Sequence, residues 1–226
     1  MPAGGSWYNG EIQHYTNRTD NASVNSGILS ITAKKEAFTD QGHTKQYTSA
    51  RLNSKFAFKY AKVEIRAKLP TGVGTWPALW MLGKNINEDG GYWDNQGFGN
   101  KSWPDCGEID IMELLGHEPD KVHGTAHWAN PNGDRVQSGG AKALSTGDFS
   151  DEFHVFSIIW DDQNIKWYVD DVLYKTLNIT PADLTEFHEE FFFIFNIAVG
   201  GEWPGNPDAT TVFPQRMIVD YIRMFQ

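Results

Sequence analysis

The sequence predicts an all-β chain: a two-sheet antiparallel β-sandwich of jelly-roll type, folded as a single domain over residues 1–226. Three observations carry this. Period-two alternation is clear at Lys62–Leu69, where Val63, Ile65, Ala67 and Leu69 interleave with Glu64, Arg66 and Lys68. Elsewhere short apolar runs are separated by clusters of Gly, Pro, Asn and Asp, as strands and turns are. Helix signals occur at one stretch, with Thr180 as cap, Pro181 at the first position and Ala182–Glu190 behind them. A chain of 226 residues with 40% hydrophobic content can bury a full core, and no repeat or change of composition divides it.

In chain order, residues 1–5 read as a processed or artificial start. Residues 6–26 are polar and turn-rich, with aromatics at Trp7, Tyr8, His14 and Tyr15. Strands are expected at Gly27–Ala33, within Tyr47–Phe58, and at Lys62–Leu69. Thr75–Leu82 is nearly continuous in apolar residues and reads as a strand buried on both sides. Residues 83–103 form a long loop with Tyr92, Trp93, Phe98 and Trp103. Loops longer than about 15 residues in compact domains are commonly functional, so this one is expected to wall a cleft. Further strands are expected at Val122–Trp128, Phe153–Trp160, Ile165–Val169, Val172–Leu177, Phe191–Val199 and Met217–Phe225, with a hairpin turn at Asp170-Asp171.

The stretch that asks for a function is Gly107-Glu-Ile-Asp-Ile-Met-Glu-Leu114. Buried carboxylates are costly unless paired or employed. Strand alternation puts Glu108 and Asp110 on one face and Ile109 and Ile111 on the other. Plain alternation would send Glu113 to the apolar face, and one extra residue, a β-bulge with Met112 as the insertion, returns it. Three carboxylates then line one cleft. Glycoside hydrolysis uses two carboxyl groups flanking the scissile bond, close together when configuration is retained. Glu108 and Glu113 stand ~13 Å apart along the backbone, a gap that long side chains leaning together on a curved sheet largely close. Asp110, between them, can hold one Glu in a chosen charge state, since like charges push pKa values apart.

Composition narrows the partners. A net charge of −10 argues against nucleic acid and against an anionic membrane surface. The single cysteine, Cys106, excludes an internal disulfide, and no apolar run of about 18 residues predicts a membrane-spanning helix. No signal peptide is read in the chain. Nine Trp supply flat apolar faces of the kind on which sugar rings stack, although some must belong to the core.

The stretch at 107–114 resembles the active-site signature of glycoside hydrolase family 16. Ala50-Arg-Leu-Asn-Ser-Lys55, Lys62–Pro70, Gly74-Thr-Trp-Pro-Ala-Leu-Trp-Met-Leu-Gly83, Trp103-Pro-Asp-Cys106, Ile165–Asp170 and Val219–Arg223 are similar to that family's laminarinases. The resemblance implies a β-jelly-roll, a retaining mechanism and endo-hydrolysis of β-1,3-glucan of the laminarin type. By it, Glu108 is the nucleophile, Glu113 the acid/base and Asp110 the assisting carboxylate. The bulged form is that of laminarinases and agarases, whereas lichenases and xyloglucan transferases lack the extra residue. Trp-Pro-x-Cys before the motif points to β-1,3-glucan.

Matching substrate contacts are Asn53, Arg66, Trp76, Trp80, Trp103 and His127, with Trp203 added as an exposed ring in a glycine-rich loop. Core packing is the competing reading for one of Trp76 and Trp80. Thr125 and His127 alternate with Ala126 and Trp128, which suits a cleft face. Arg66 suits either a sugar contact or a counter-charge. The reaction requires no cofactor. The family's structural calcium uses a carbonyl from an N-terminal strand, a Gly and a C-terminal Asp; Gly27 and Asp220 are the counterparts here, and the strand has none. A secreted, extracellular or periplasmic monomer is implied. The rivals are a non-catalytic β-glucan-binding protein, a transglycosylase, and a hydrolase of mixed-linkage glucan or algal galactan.

Overall fold

The computed structural model describes residues 7–226, so the reading of residues 1–5 lies outside the described residues. The strands are β1 (Gln13–Tyr15), β2 (Ala22–Asn25), β3 (Ile28–Asp40), β4 (His43–Ser49), β5 (Arg51–Phe58), β6 (Ala61–Lys68), β7 (Thr75–Gly83) and β8 (Glu108–Leu114). They continue with β9 (Lys121–Ala129), β10 (Arg135–Ala143), β11 (His154–Trp160), β12 (Asn164–Val169), β13 (Val172–Asn178), β14 (Phe191–Val199) and β15 (Gln215–Phe225). One sheet has nine strands in the order β1-β4-β3-β15-β6-β11-β12-β13, with β2 paired to β3; the other has six, in the order β10-β9-β8-β7-β14-β5. Pairing is antiparallel as expected, apart from the parallel contact of β1 with β4.

Alternation explains which faces meet. On β6, Ala61, Val63, Ile65 and Ala67 are buried and the residues between them are half-buried. They face a core that contains Trp160, Trp167, Phe156, Phe191 and Met81. Strand β14 is buried at every position because it has two apolar faces. Phe191, Phe193, Phe195, Ile197 and Val199 belong to the core between the sheets. Phe192 and Ile194 point the other way and form a second apolar cluster with Leu82, Ile86 and Cys106, against which Trp80 and Trp93 pack. The 83–103 loop supplies Ile86 and Trp93 to that cluster, and Trp93 Nε1 donates to the Ser54 carbonyl at 3.2 Å. The loop carries a short helix, Tyr92–Asn95, that alternation did not signal.

Three expectations change. The 180–190 helix is a single 3-10 turn, Thr185–His188. Its one deep anchor is Phe187, stacked on Phe191 at 6.3 Å, and one anchor does not offset the cost of nucleating an α-helix. Strands β1 and β2 lie in the stretch read as turns. Strand β10 alternates between exposed and half-buried residues along its whole length. Being an edge strand with Gly139 and Gly140 at its centre, it carries little apolar signal. The Asp170-Asp171 hairpin is as expected, both residues taking positive φ (48° and 63°), as a type I′ turn requires.

The feature that positions the site is the bulge in β8. Toward β9, Asp110 pairs with Thr125 and Glu113 with His123, so Ile111 and Met112 together oppose Gly124. A bulge interrupts the ladder, and the Asp110 carbonyl instead accepts from the indole of the buried Trp167 across the core, at 2.8 Å. Trp167 needs room: a Cβ on Gly124 would lie 2.5 Å from its Cδ1 and 2.4 Å from the Tyr174 hydroxyl.

Trp167→Phe is therefore expected to strand a buried carbonyl and destabilise the fold by roughly 1–3 kcal/mol, read by chemical denaturation. A variant as stable as wild type would mean that the bulge does not depend on this bond.

Candidate active site

Strand β8 presents its carboxylates on the face away from the core. Against β7, Glu108 lies opposite Leu82, Asp110 opposite Trp80 and Glu113 opposite Ala78, with the register slipping between Trp80 and Leu79. The bulge brings Glu113 back to the carboxylate face, as alternation required. Its assignment is corrected in one respect. Met112 pairs with Leu79 and Ile111 is the residue left over on that side; both side chains are buried in the core.

Each glutamate is held by a different indole. Trp103 Nε1 donates to Glu108 Oε2 at 3.0 Å, and Trp76 Nε1 donates to Glu113 Oε1 at 3.0 Å. Asp110 sits between them, 3% exposed. Its close contact is with His127, whose Nε2 lies 3.2 Å from Asp110 Oδ2 and 3.7 Å from Glu108 Oε1. The histidine approaches out of line, so Asp110 Oδ2 has no aligned donor.

Burial, and then the neighbouring charge of Asp110, hold Glu108 well above the ordinary carboxylate range. Glu113 is also raised well above it, by burial and then by Asp110 and Glu108 together. The two differ in what opposes the rise: Trp103, Arg135 and Arg51 for Glu108, against Trp76 and Arg135 for Glu113. Arg135 thus lowers both glutamates, and Arg51 acts on Glu108 besides. Like charges this close do not all ionise together, so one glutamate keeps its proton while the other acts as a carboxylate.

Most of the expected sugar contacts surround this centre. Trp76 and Trp80 both lie on the cleft face. Trp80 pairs with Asp110 across the strands and donates to Asn196 Oδ1 at 2.7 Å, so neither ring is given over to the main core. Asn53 shares the cleft face with Ile194, and its Oδ1 is buried without a partner. Trp103 and Trp203 are each 42% exposed, leaving ring surface for a ligand. Trp203 packs edge-on against Trp76 at 5.4 Å and His123 at 5.1 Å. His127 lies opposite Glu108.

Arg66 is a correction. It lies on β6, in the nine-stranded sheet, where its Nη1 donates to Asp220 Oδ2 at 2.6 Å and its guanidinium covers Phe153. It belongs to the polar face of the other sheet and is no cleft residue. Gly27 stands at the β2–β3 turn with φ 82°, and the Asp220 carboxylate is paired with Arg66, which is poor chemistry for a cation site. Among the described residues, Glu108, Asp110 and His127 are the one group of three ligating side chains close together, within 4.8 Å. Glu108 already accepts from Trp103 there, and the arrangement suits proton handling.

Several cleft residues escaped the sequence reading. Arg51 lies two residues before Asn53 and shares its face. It donates to Glu88 of the long loop at 2.8 Å and lies 5.6 Å from the Trp80 ring. Its position in the same motif as Asn53 was the available signal. Asn196, the one polar residue in Phe191–Val199, also passes a bond from its amide to the Tyr15 hydroxyl at 3.1 Å. Tyr15 donates to Glu11 at 3.2 Å. Glu11 and Tyr15 come from a stretch without periodicity, and nothing there pointed to the cleft.

A family model decides what these residues belong to: residues 9–223 match that of the glycosyl hydrolases family 16. The chain belongs to this family. It is 42% identical to a beta-glucanase of Rhodothermus marinus, over 99% of this chain and 77% of that protein. It is 39% identical to glucan endo-1,3-beta-glucosidase A1 of Niallia circulans, over 100% of this chain and 33% of that protein. Among solved structures, LamA from Zobellia galactanivorans in complex with laminaritriose and laminaritetraose superposes with a TM-score of 0.92 at 42% identity, covering 100% of this chain and 89% of that one. The chain is thus a glycoside hydrolase of family 16, with its carboxylate strand intact.

The raised glutamates carry a pH signature in stability. The unfolded chain releases these protons near the ordinary value of 4.5 while the native state holds them to higher pH. Their contribution is therefore full below about 4.5 and is lost as pH rises through the folded values. Glu113→Gln removes one such group. Its melting temperature is expected to exceed that of wild type by a margin that grows from pH 4.5 to neutrality. A margin independent of pH in thermal melts would contradict the burial argument.

Proposed function

We propose that this family 16 hydrolase is a retaining endo-β-1,3-glucanase acting on laminarin-type β-glucan. The observation that carries the proposal is the pair of glutamates on one face, each held by its own indole N–H, with Asp110 between them. In the first step the Glu108 carboxylate attacks the anomeric carbon, while Glu113 gives its proton to the departing glycosidic oxygen. A glycosyl ester on Glu108 results. In the second step Glu113 takes a proton from water as that water opens the ester, returning both groups to their starting states. Asp110 sets the charge balance through repulsion, and burial magnifies it. No metal enters either step, and the engagement of Asp220 by Arg66 favours a fold that does without calcium.

The substrate class is supported by the relatives named for endo-1,3-β-glucosidase activity and for laminari-oligosaccharide binding, and by exposed indoles at Trp103 and Trp203 on either side of the carboxylates. A secreted enzyme fits a polymeric substrate, and among the described residues no helix is long and apolar enough to cross a membrane. The 83–103 loop is tied to the cleft through Arg51–Glu88 and Trp93, which favours a role in choosing among glucans.

Reducing-end release from laminarin tests the enzyme reading. Glu108→Ser is expected to lose at least ~1,000-fold in kcat, the scale of losing a covalent nucleophile. Wild type and variant equally silent would leave a glucan-binding protein. NMR of the first-formed product should show the β-anomer, and an α-anomer would exclude retention. Products all longer than the substrate would indicate a transglycosylase.

Replacing residues 88–91 and 94–100 with a minimal turn, while keeping Trp93, should broaden the products released from branched and mixed-linkage glucans. An unchanged profile would remove the loop from specificity.

A further inference from the structure

We propose that Arg135 is a positioning residue of this site, fixing His127 as the tautomer with its proton on Nε2, so that the ring turns an N–H toward Asp110 and Glu108. The inference rests on the proposed reaction for its consequence, though not for its geometry.

Arg135 opens the edge strand β10, whose Gln137 lies directly opposite His127. An exposed arginine on an edge strand is ordinarily a solvated charge of little consequence. This one is anchored three ways. Its Nη2 donates to His127 Nδ1 at 3.3 Å and to Gln137 Oε1 at 2.6 Å, and its guanidinium lies 5.2 Å from the Trp103 ring centre. Trp103 is the residue that donates to Glu108. Arg135 therefore braces both side chains that reach the Glu108–Asp110 pair from this side.

The tautomer follows from donor counting. A guanidinium has five N–H donors and no acceptor. The nitrogen it meets must accept, and an accepting ring nitrogen carries no proton, so the proton of the neutral ring resides on Nε2. The groups facing the ring are Asp110 and Glu108 from β8, Arg135 and Gln137 from β10, and the Trp103 ring, 6.1 Å away. With the proton on Nδ1 instead, a bare Nε2 lone pair would face two carboxylates. The Nε2–H tautomer offers Asp110 Oδ2 the donor it lacks. At 3.2 Å the two atoms are within reach of each other, and catalytic hydrogen bonds are often misaligned before substrate is bound. In the proposed reaction, a donor on Asp110 steadies the charge beside Glu108 as that group becomes an ester and returns.

The test reads the ring itself. In ¹⁵N-histidine NMR at pH 7, with the resonance assigned through His127→Gln, wild type is expected to show the Nε2–H pattern. Arg135→Met should mix the tautomers, and Arg135→Lys, still a pure donor, should restore Nε2–H. On laminari-oligosaccharides, kcat of Arg135→Met should fall roughly tenfold, the scale of one charge-assisted hydrogen bond, with KM nearly unchanged and most of the loss recovered by Arg135→Lys. An Nε2–H ring in Arg135→Met would overturn the proposal, as would a rise in KM at constant kcat, which would make Arg135 a direct sugar contact. If the tautomer changes but neither protein cleaves laminarin, the positioning stands and the enzyme reading falls.

Discussion

The hydrogen bond from the Trp167 indole to the Asp110 carbonyl is where the two sheets and the chemistry meet. A strand that carries three acids on one face and a core on the other has to break its alternation once. The break leaves a backbone carbonyl without its ladder partner, buried where water does not reach it. Trp167, from the nine-stranded sheet, answers it, and Gly124 leaves the space for the indole to arrive. Remove either and the bulge loses its support, and with the bulge goes the placement of Glu113. The active site is thus written into the packing of the sandwich as much as into its own carboxylates.

The same packing makes the site's electrostatics. Three carboxylates on one strand would ionise together in water. Here Asp110 and Glu113 are buried, and burial turns proximity into a large difference between charge states. Each glutamate is given one indole N–H, enough to orient it and too little to restore what water would supply. Arg135 opposes the rise of both glutamates, and Arg51 joins it at Glu108. The fold tolerates the destabilisation because the main core, spread over two sheets, is large enough to absorb it.

Much of this was legible in the residues. Glu108, Asp110 and Glu113 could be set on one face because period two admits a single repair, and alternation marked the strands that became β6 and β9. Arg66 shows the limit. Alternation identifies it as a polar-face residue, and a sandwich has two polar faces that look alike in sequence. Which one bears the cleft is decided by strand order, and strand order is set by long-range pairing. Arg51 was lost for the opposite reason, since it sat beside Asn53 in a stretch already marked and only its face needed to be followed. Glu11 and Tyr15 reach the cleft through β1, a three-residue strand with no pattern to betray it. The exact site of the extra residue, shared between Ile111 and Met112, depends on two neighbouring strands at once.

Strand β14 draws these threads together. Its run of apolar residues is buried on both faces, and what buries the second face is no further sheet. It is the 83–103 loop, which lays Ile86 and Trp93 over Phe192 and Ile194. The loop is thereby part of the fold, holding its own small core, and Cys106 in that cluster lies two residues before Glu108. Burial pushes the Cys106 thiol up to about 12, so it acts as an apolar filler at the root of the carboxylate strand. One face of β14 is thus closed over by the loop at one end and open at the other, where Asn196 holds Trp80. The boundary between closed and open falls beside the carboxylates, so the element that encloses the cleft also anchors the strand that works in it.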